Sequence, residues 1–232
     1  MRHEPKAVIF DLDDTLYQLR RFVHSGFAAV ANHLEETWRV DRREALDVLA
    51  RAARAARGRE LQVCAAHFGL SLSIVPALVQ VIRSHTPSLR LPRTSTFALE
   101  ALRTDWYLGV VTNGLPDLQE RKVEALGLRH LVDTVVYANE LGRRAGKPDR
   151  EPFLAAARRL GVTPDRAIFV GDDARCDVFG AGQAGMKTVH VTRHSRTPLS
   201  ACCADATITT LAVLPVIAER LVADLRWRSH VA

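Results

Sequence analysis

The chain has 232 residues, 47% of them hydrophobic and 25% charged, with a formal net charge of +6. That balance excludes a disordered or low-complexity chain and allows one large globular domain, or a core domain with an insert. No apolar run approaches bilayer length, and the start Met1-Arg2-His3-Glu4-Pro5 lacks a secretory apolar segment, so no membrane association and a cytoplasmic location are expected. The positive charge is mainly arginine, since Lys6, Lys122, Lys147 and Lys187 are the only lysines. These arginines are spread along helical stretches and are not interleaved with aromatics, which favours a small anionic substrate over a nucleic-acid polymer. Cys64, Cys176, Cys202 and Cys203 have no metal-ligand spacing and are expected to be reduced, structural thiols.

In chain order, Val8-Ile9-Phe10 is an apolar, β-rich run suited to a central parallel strand. It ends in Asp11-Leu12-Asp13-Asp14-Thr15. Asp11 and Asp13, two apart on a strand, share a face, and converging carboxylates repel unless a cation or shared proton intervenes. Oxygen donors suit a hard divalent ion, so Mg²⁺ is the natural candidate, with one acid placed for attack and its neighbour for proton transfer. The period then turns helical. Val23, Phe27, Val30, Leu34 and Trp38 form an amphipathic stripe. Asp41 with Glu44 has capping-box spacing for a second helix running to about Arg57, with Gly58 as its stop. A third helix is predicted over 60–68 and a fourth over 73–85, together a small helical insert.

Thr86-Pro87-Ser88-Leu89-Arg90-Leu91-Pro92 reads as the return linker. Helix and strand then alternate: helix 95–103, strand 106–111, helix 116–126, strand 132–137, helix 151–160, strand 166–171, helix 177–184 and strand 187–192. A last strand over 205–209 and a closing helix over 211–225 complete the pattern. This alternation predicts parallel βαβ units and an α/β, doubly wound, Rossmann-like sheet. The expected core is 1–16 with 91–232, and the expected helical insert 17–90.

Four polar clusters fall at or near predicted strand ends: Asp11 to Thr15, Thr112-Asn113-Gly114, Gly146-Lys147-Pro148-Asp149, and Gly171-Asp172-Asp173 with Asp177. A doubly wound sheet brings such ends to one edge. Their order and placement resemble the haloacid dehalogenase superfamily, in the subfamily with a helical cap after the first strand. The run from Gly171 to Met186 matches that family's fourth motif, and the first motif matches through Leu16 and Tyr17.

The resemblance implies an enzyme in which Asp11 is the nucleophile and forms an aspartyl-phosphate. Asp13 is the acid/base, and Lys147 the cation that stabilises the transferring group. It also implies Mg²⁺ held by Asp11, the Asp13 backbone carbonyl and Asp172, with Asp177 or Asp173 acting through water. Thr112, with the amides of Asn113 and Gly114, would bind phosphoryl oxygens. Dehalogenases of the superfamily lack the second aspartate, so Asp13 points to phosphoryl transfer. The expected activity is therefore a phosphatase of small phosphorylated metabolites. A phosphomutase, a haloacid dehalogenase and a non-catalytic small-molecule binder are the alternatives. Substrate choice is expected in the cap, where Tyr17, Arg20 and Arg21 lie near the hinge and Arg54, Arg57 and Arg59 crowd a turn. The loop Gly142-Arg143-Arg144-Ala145-Gly146 is longer and more basic than the family's usual form. Oligomeric state is not legible.

Overall fold

The computed structural model describes residues 6–142, 146–193 and 203–229, the last seven as backbone. Arg143 to Ala145 of the basic loop and Cys202 lie outside these residues. The chain divides into two compact units: Met1–Gln18 with Arg90–Ala232, and Leu19–Leu89.

The first unit is built on strands β1 (Ala7–Phe10), β2 (Tyr107–Thr112), β3 (Thr134–Tyr137), β4 (Ala167–Gly171), β5 (Lys187–Val191) and β6 (Ala206–Ile208). Their order is β3-β2-β1-β4-β5-β6, and every pairing is parallel. This is an α/β, doubly wound, Rossmann-like sheet. β1 and β4 are buried throughout, and β2 beyond its exposed Tyr107, because a parallel strand covered on both faces has no polar side. One core cluster joins Ile9, Val111, Val136, Phe153 and Phe169, with the Phe153 and Phe169 rings edge to face at 4.8 Å.

The sheet reverses its strand order about β1, whose register pairs Phe10 with Val110 on one side and Val170 on the other. The ladder runs one residue further, where the Asp11 amide donates to the Val170 carbonyl at 2.9 Å. Asp11 thus leaves the sheet at a fixed height and at the topological switch point, where open α/β sheets bind ligands.

The second unit holds α1 (Leu19–Trp38), α2 (Arg42–Ala55), α3 (Glu60–His67) and α4 (Val75–Ser84). Phe27, Val30 and Leu34 of the α1 stripe are buried against Ala45, Val48 and Leu49 of α2, Cys64 of α3 and Leu78 of α4. The stripe is therefore covered within its own unit. Asp41 caps α2 by accepting from the Glu44 amide at 2.7 Å, but the box is only half closed. The Glu44 side chain turns to His67 of α3, at 2.8 Å. Gly58 and Gly69, both at positive φ, end α2's turn and α3.

The first unit continues through α5 (Arg93–Leu102), α6 (Pro116–Ala125), α7 (Glu151–Leu160), α8 (Gly180–Gln183) and α9 (Leu214–Ser229). The helix expected over 177–184 is instead a wide π-type turn at Ala174–Phe179 followed by short α8. Its bond from the Val178 amide to the Asp173 carbonyl spans five residues. Among the described residues, no helix is long and apolar enough to cross a membrane, and Cys64, Cys176 and Cys203 are free.

Candidate active site

Each acid of the site is placed by the end of a strand. Asp11 follows β1, Asp172 follows β4, and the π-type turn carries Asp177 back beneath Gly171, the last residue of β4. A Cβ on Gly171 would collide with the Asp177 side chain itself, so only glycine lets this carboxylate fold against the strand end. Oxygens of Asp11, Asp172 and Asp177 lie within 4.8 Å of one another. The buried Lys147 ammonium reaches Asp11 Oδ1 at 2.5 Å and Asp177 Oδ1 at 2.7 Å. The other Asp177 oxygen accepts the Asp173 amide at 3.0 Å.

Among the described residues, three carboxylates gather about one ammonium, which leaves negative charge in excess there. Burial pushes the Asp11 carboxyl well above its ordinary value; Lys147 opposes that, and Asp177 and Asp13 reinforce it. Burial likewise raises Asp172 to about 7, helped by Asp177 and Asp14. For Lys147, burial alone would favour the neutral amine, but Asp11 and Asp177 outweigh it and hold the ammonium charged. Such an all-oxygen, electron-rich donor set fits a hard divalent cation such as Mg²⁺. Of the two candidates for its outer ligand, only Asp177 belongs to this group. Asp173 Oδ1 instead caps the turn, accepting the Arg175 and Cys176 amides at 2.9 and 2.7 Å.

Asp13 stands apart from this trio. Asp14 adopts a left-handed conformation at φ 61°, a backbone that Asp tolerates better than most residues, and the chain turns there. The Asp13 carboxylate receives the Tyr17 hydroxyl at 2.6 Å, the Lys122 ammonium at 3.0 and 2.7 Å, and the Gln119 amide at 3.2 Å. Tyr17, next to the Gln18/Leu19 boundary between the two units, is buried with its hydroxyl on Asp13. Burial first, and then Asp13, raise its phenol far above the usual range.

Thr112 ends β2, buried, and its hydroxyl oxygen accepts a short bond from the same Gln119 amide nitrogen. The Asn113 side chain grips the backbone of Lys147 at two points, donating to its carbonyl at 2.9 Å and accepting its amide at 2.8 Å. That clamp joins the loop after β2 to the loop that delivers the lysine. Gly114, whose amide was expected to serve a phosphoryl oxygen, donates it to Asn139 Oδ1 at 3.0 Å and holds φ at 123°. In this structure that amide serves the loop. The arginines expected near substrate, Arg20, Arg21, Arg54, Arg57 and Arg59, are all exposed.

Sequence reasoning passed over Lys122 and Gln119. Their signal was present: polar residues three apart on α6, with Val123 beside them, at positions that a helix lying on a sheet buries. Lysine was also rare enough in this arginine-rich chain to merit inspection.

The fold is α/β, and it gathers a carboxylate–lysine cluster at the carboxyl edge of its parallel sheet. The chain belongs to the haloacid dehalogenase-like hydrolase family, whose model matches residues 5–185. It is 32% identical over 200 residues to a glyceraldehyde 3-phosphate phosphatase of Methanopyrus kandleri, covering 81% of this chain and 84% of that one. It is also 32% identical over 199 residues to an N-acetylmuramic acid 6-phosphate phosphatase of Pseudomonas aeruginosa, covering 80% and 81%. Among solved structures it is similar to a 2-haloacid dehalogenase from Pseudomonas syringae, with a TM-score of 0.66, 28% identity, and 94% and 99% of the two chains covered.

Proposed function

We propose that the protein is a Mg²⁺-dependent phosphatase of small phosphorylated metabolites that works through a phosphoryl group carried on Asp11. The observation that supports this reading most is the cluster of Asp11, Asp172 and Asp177 about the Lys147 ammonium, with a second, separately held acid two residues after Asp11. Two phosphatase relatives at 32% identity, one for a triose phosphate and one for an amino-sugar phosphate, support the substrate class.

Phosphate monoesters are kinetically inert, and the transition state spreads charge over the equatorial oxygens, so positioned cations must supply much of the acceleration. A cation held by Asp11, Asp172 and Asp177, with the Asp13 carbonyl, would cancel the excess negative charge that otherwise repels a phosphate dianion. In the first half-reaction an Asp11 oxygen bonds to phosphorus as the bond to the leaving oxygen breaks, and Asp13 gives that oxygen its proton. In the second, water bonds to phosphorus, loses its proton to Asp13, and releases the Asp11 carboxylate and inorganic phosphate. Lys147 stays charged throughout, and the Thr112 hydroxyl binds a phosphoryl oxygen.

Turnover of para-nitrophenyl phosphate with Mg²⁺ tests this reading, alongside Asp11→Asn, which keeps the shape and removes the nucleophile. The expected result is a loss of about 10⁴-fold or more in the variant, on the scale of removing a nucleophile that acts as part of a unit. Equal rates would end the reading. The likeness to a haloacid dehalogenase makes chloride release from 2-chloropropionate the second assay, and the presence of Asp13 predicts none.

A further inference from the structure

We propose that Lys122 is a positioning residue for proton transfer. With Gln119 and Tyr17 it forms a socket that fixes the Asp13 carboxylate relative to the phosphoryl-binding Thr112. This rests on the phosphatase reading above and assigns a role to residues which that reading leaves unused.

The geometry is specific. Each Asp13 oxygen receives two donors: Oδ1 takes the Tyr17 hydroxyl and the Lys122 ammonium, and Oδ2 takes the Lys122 ammonium and the Gln119 amide. Among the described residues, Lys122 is the only donor that reaches both oxygens, so it fixes the rotation of the carboxylate as well as its place. Its side chain is 4% exposed against 24% for Asp13, so the cation sits behind the acid, which alone faces the open side. Gln119 Nε2 bonds Asp13 Oδ2 and the Thr112 hydroxyl together, which couples the acid's position to that of the phosphoryl-binding group.

Burying a lysine is costly without a partner, and a salt bridge held only for stability is replaced readily by apolar side chains. Here two of the three buried residues of α6, Gln119 and Lys122, serve the socket while the third, Val123, is core, and the helix is also tied down through Glu120. Glu120 of α6 pairs with Arg129, at 2.9 Å to its Nε, and accepts the Tyr137 hydroxyl at the end of β3. Proton transfer in a transition state is sensitive to sub-ångström placement of the acid, and a fixed carboxylate avoids the entropy of finding that place.

The role predicts a dependence on the leaving group that a structural ion pair would not show. A nitrophenolate departs without a proton, whereas an alkoxide needs one. Lys122→Met is therefore expected to lower kcat/KM for glycerol 2-phosphate about 100-fold, at the lower end of general acid contributions. The same variant should lower kcat/KM for para-nitrophenyl phosphate less than tenfold. In an Asp13→Asn background, adding Lys122→Met should change kcat/KM for the aryl ester less than twofold, because the lysine's target is gone.

Equal losses on the two esters, or an undiminished loss in the Asp13→Asn background, would overturn the proposal. Should Lys122→Met fail to fold, Tyr17→Phe removes one donor from Asp13 and leaves Thr112 untouched, and it should show the same selectivity at about three- to tenfold; no selectivity overturns the proposal. Asp11→Asn separates the two claims. If it keeps full activity the phosphatase reading falls; if it is inactive while Lys122→Met is unselective, only the socket falls.

Discussion

Two lysines of this chain face two aspartates at one sheet edge, and they do so under opposite charge balances. Around Lys147 the described residues supply three carboxylates for one ammonium; burial and then Asp177 raise Asp172 to about 7, and the lysine stays charged. Around Lys122 there is one carboxylate, saturated by a lysine, an amide and a phenol. The first group is incomplete by charge and calls for a cation and a phosphate. The second is balanced in charge, and its acid must be aimed while it gives and takes a proton. Chemistry that must accept charge is thus separated from chemistry that must hold a position, although Asp11 and Asp13 are only two residues apart.

The largest break in this contrast is Lys147→Met. It removes the one cation from the deficient group, and the loss of a single preorganised electrostatic contact at a reacting centre costs about 10²–10³ in rate. Both aryl and alkyl phosphates should fall together, since Lys147 serves phosphorus and not the leaving group. Steady-state kinetics on the two esters check this, and a loss confined to alkyl esters would show that the two lysines do not divide their work.

Cation binding sharpens the contrast further. Asp172 is held at about 7 against an ordinary 3.8, so the folded chain keeps a proton that the unfolded chain releases between those values. Stability without the cation therefore falls as pH rises across that window, and the raised Asp11 carboxyl adds a fall of the same sign. Mg²⁺ competes for the same oxygens, so the stabilisation it gives should be small at about pH 5 and large at about pH 8, reaching about 2.7 kcal/mol at 100 times its Kd. Thermal melts with and without Mg²⁺ at the two pH values read this directly. A shift of equal size at both would mean that these carboxylates do not carry the ion. Gly171→Ala follows in size. The added methyl must displace Asp177, an overpacking worth about 1–3 kcal/mol, and it should shrink the Mg²⁺-induced shift at high pH as well.

The parts of the molecule that were legible beforehand share a physical reason. The apolar runs at Val8 to Phe10 and Ala167 to Gly171 are buried on both faces, so composition alone marks them as central strands. The alternation that follows leaves a parallel doubly wound sheet as its natural outcome. Asp11 and Asp172 were legible because strand ends converge, whereas Lys147, which precedes α7 and follows no strand, was picked out through the resemblance alone. Asp13 was singled out, but its surroundings were not, since Lys122 and Gln119 belong to a helix whose rotation about its axis no local pattern sets. The π-type turn was equally hidden. Its five-residue bond answers to the need to return Asp177 beneath Gly171, a tertiary demand that reads locally as an ordinary helix start. The Gly114 amide was assigned to a ligand through the resemblance, and its acceptor Asn139 lies 25 residues away in sequence, where no local pattern reveals it.

The smallest effect tests which acids belong to the deficient group at all. Asp172 and Asp173 are neighbours, and sequence alone gives no means of telling a ligand from a cap. The structure separates them: Asp173 Oδ1 is occupied by the Arg175 and Cys176 amides, whereas the Asp172 side chain receives the Thr15 hydroxyl at 3.4 Å and joins Asp11 and Asp177. Asp173→Ala should therefore behave as a lost cap, costing about 1 kcal/mol of stability. It should leave the Mg²⁺-induced shift at high pH intact, while Asp173→Asn, which keeps an acceptor for the two amides, should recover most of the lost stability. Asp172→Asn should do the reverse, abolishing the shift by taking a charge from the trio. Melting curves for the three variants, with and without Mg²⁺, decide the assignment: if Asp173→Ala rather than Asp172→Asn erased the response, the cation would sit at the turn, and the charge-deficient group would have to be redrawn around the cap.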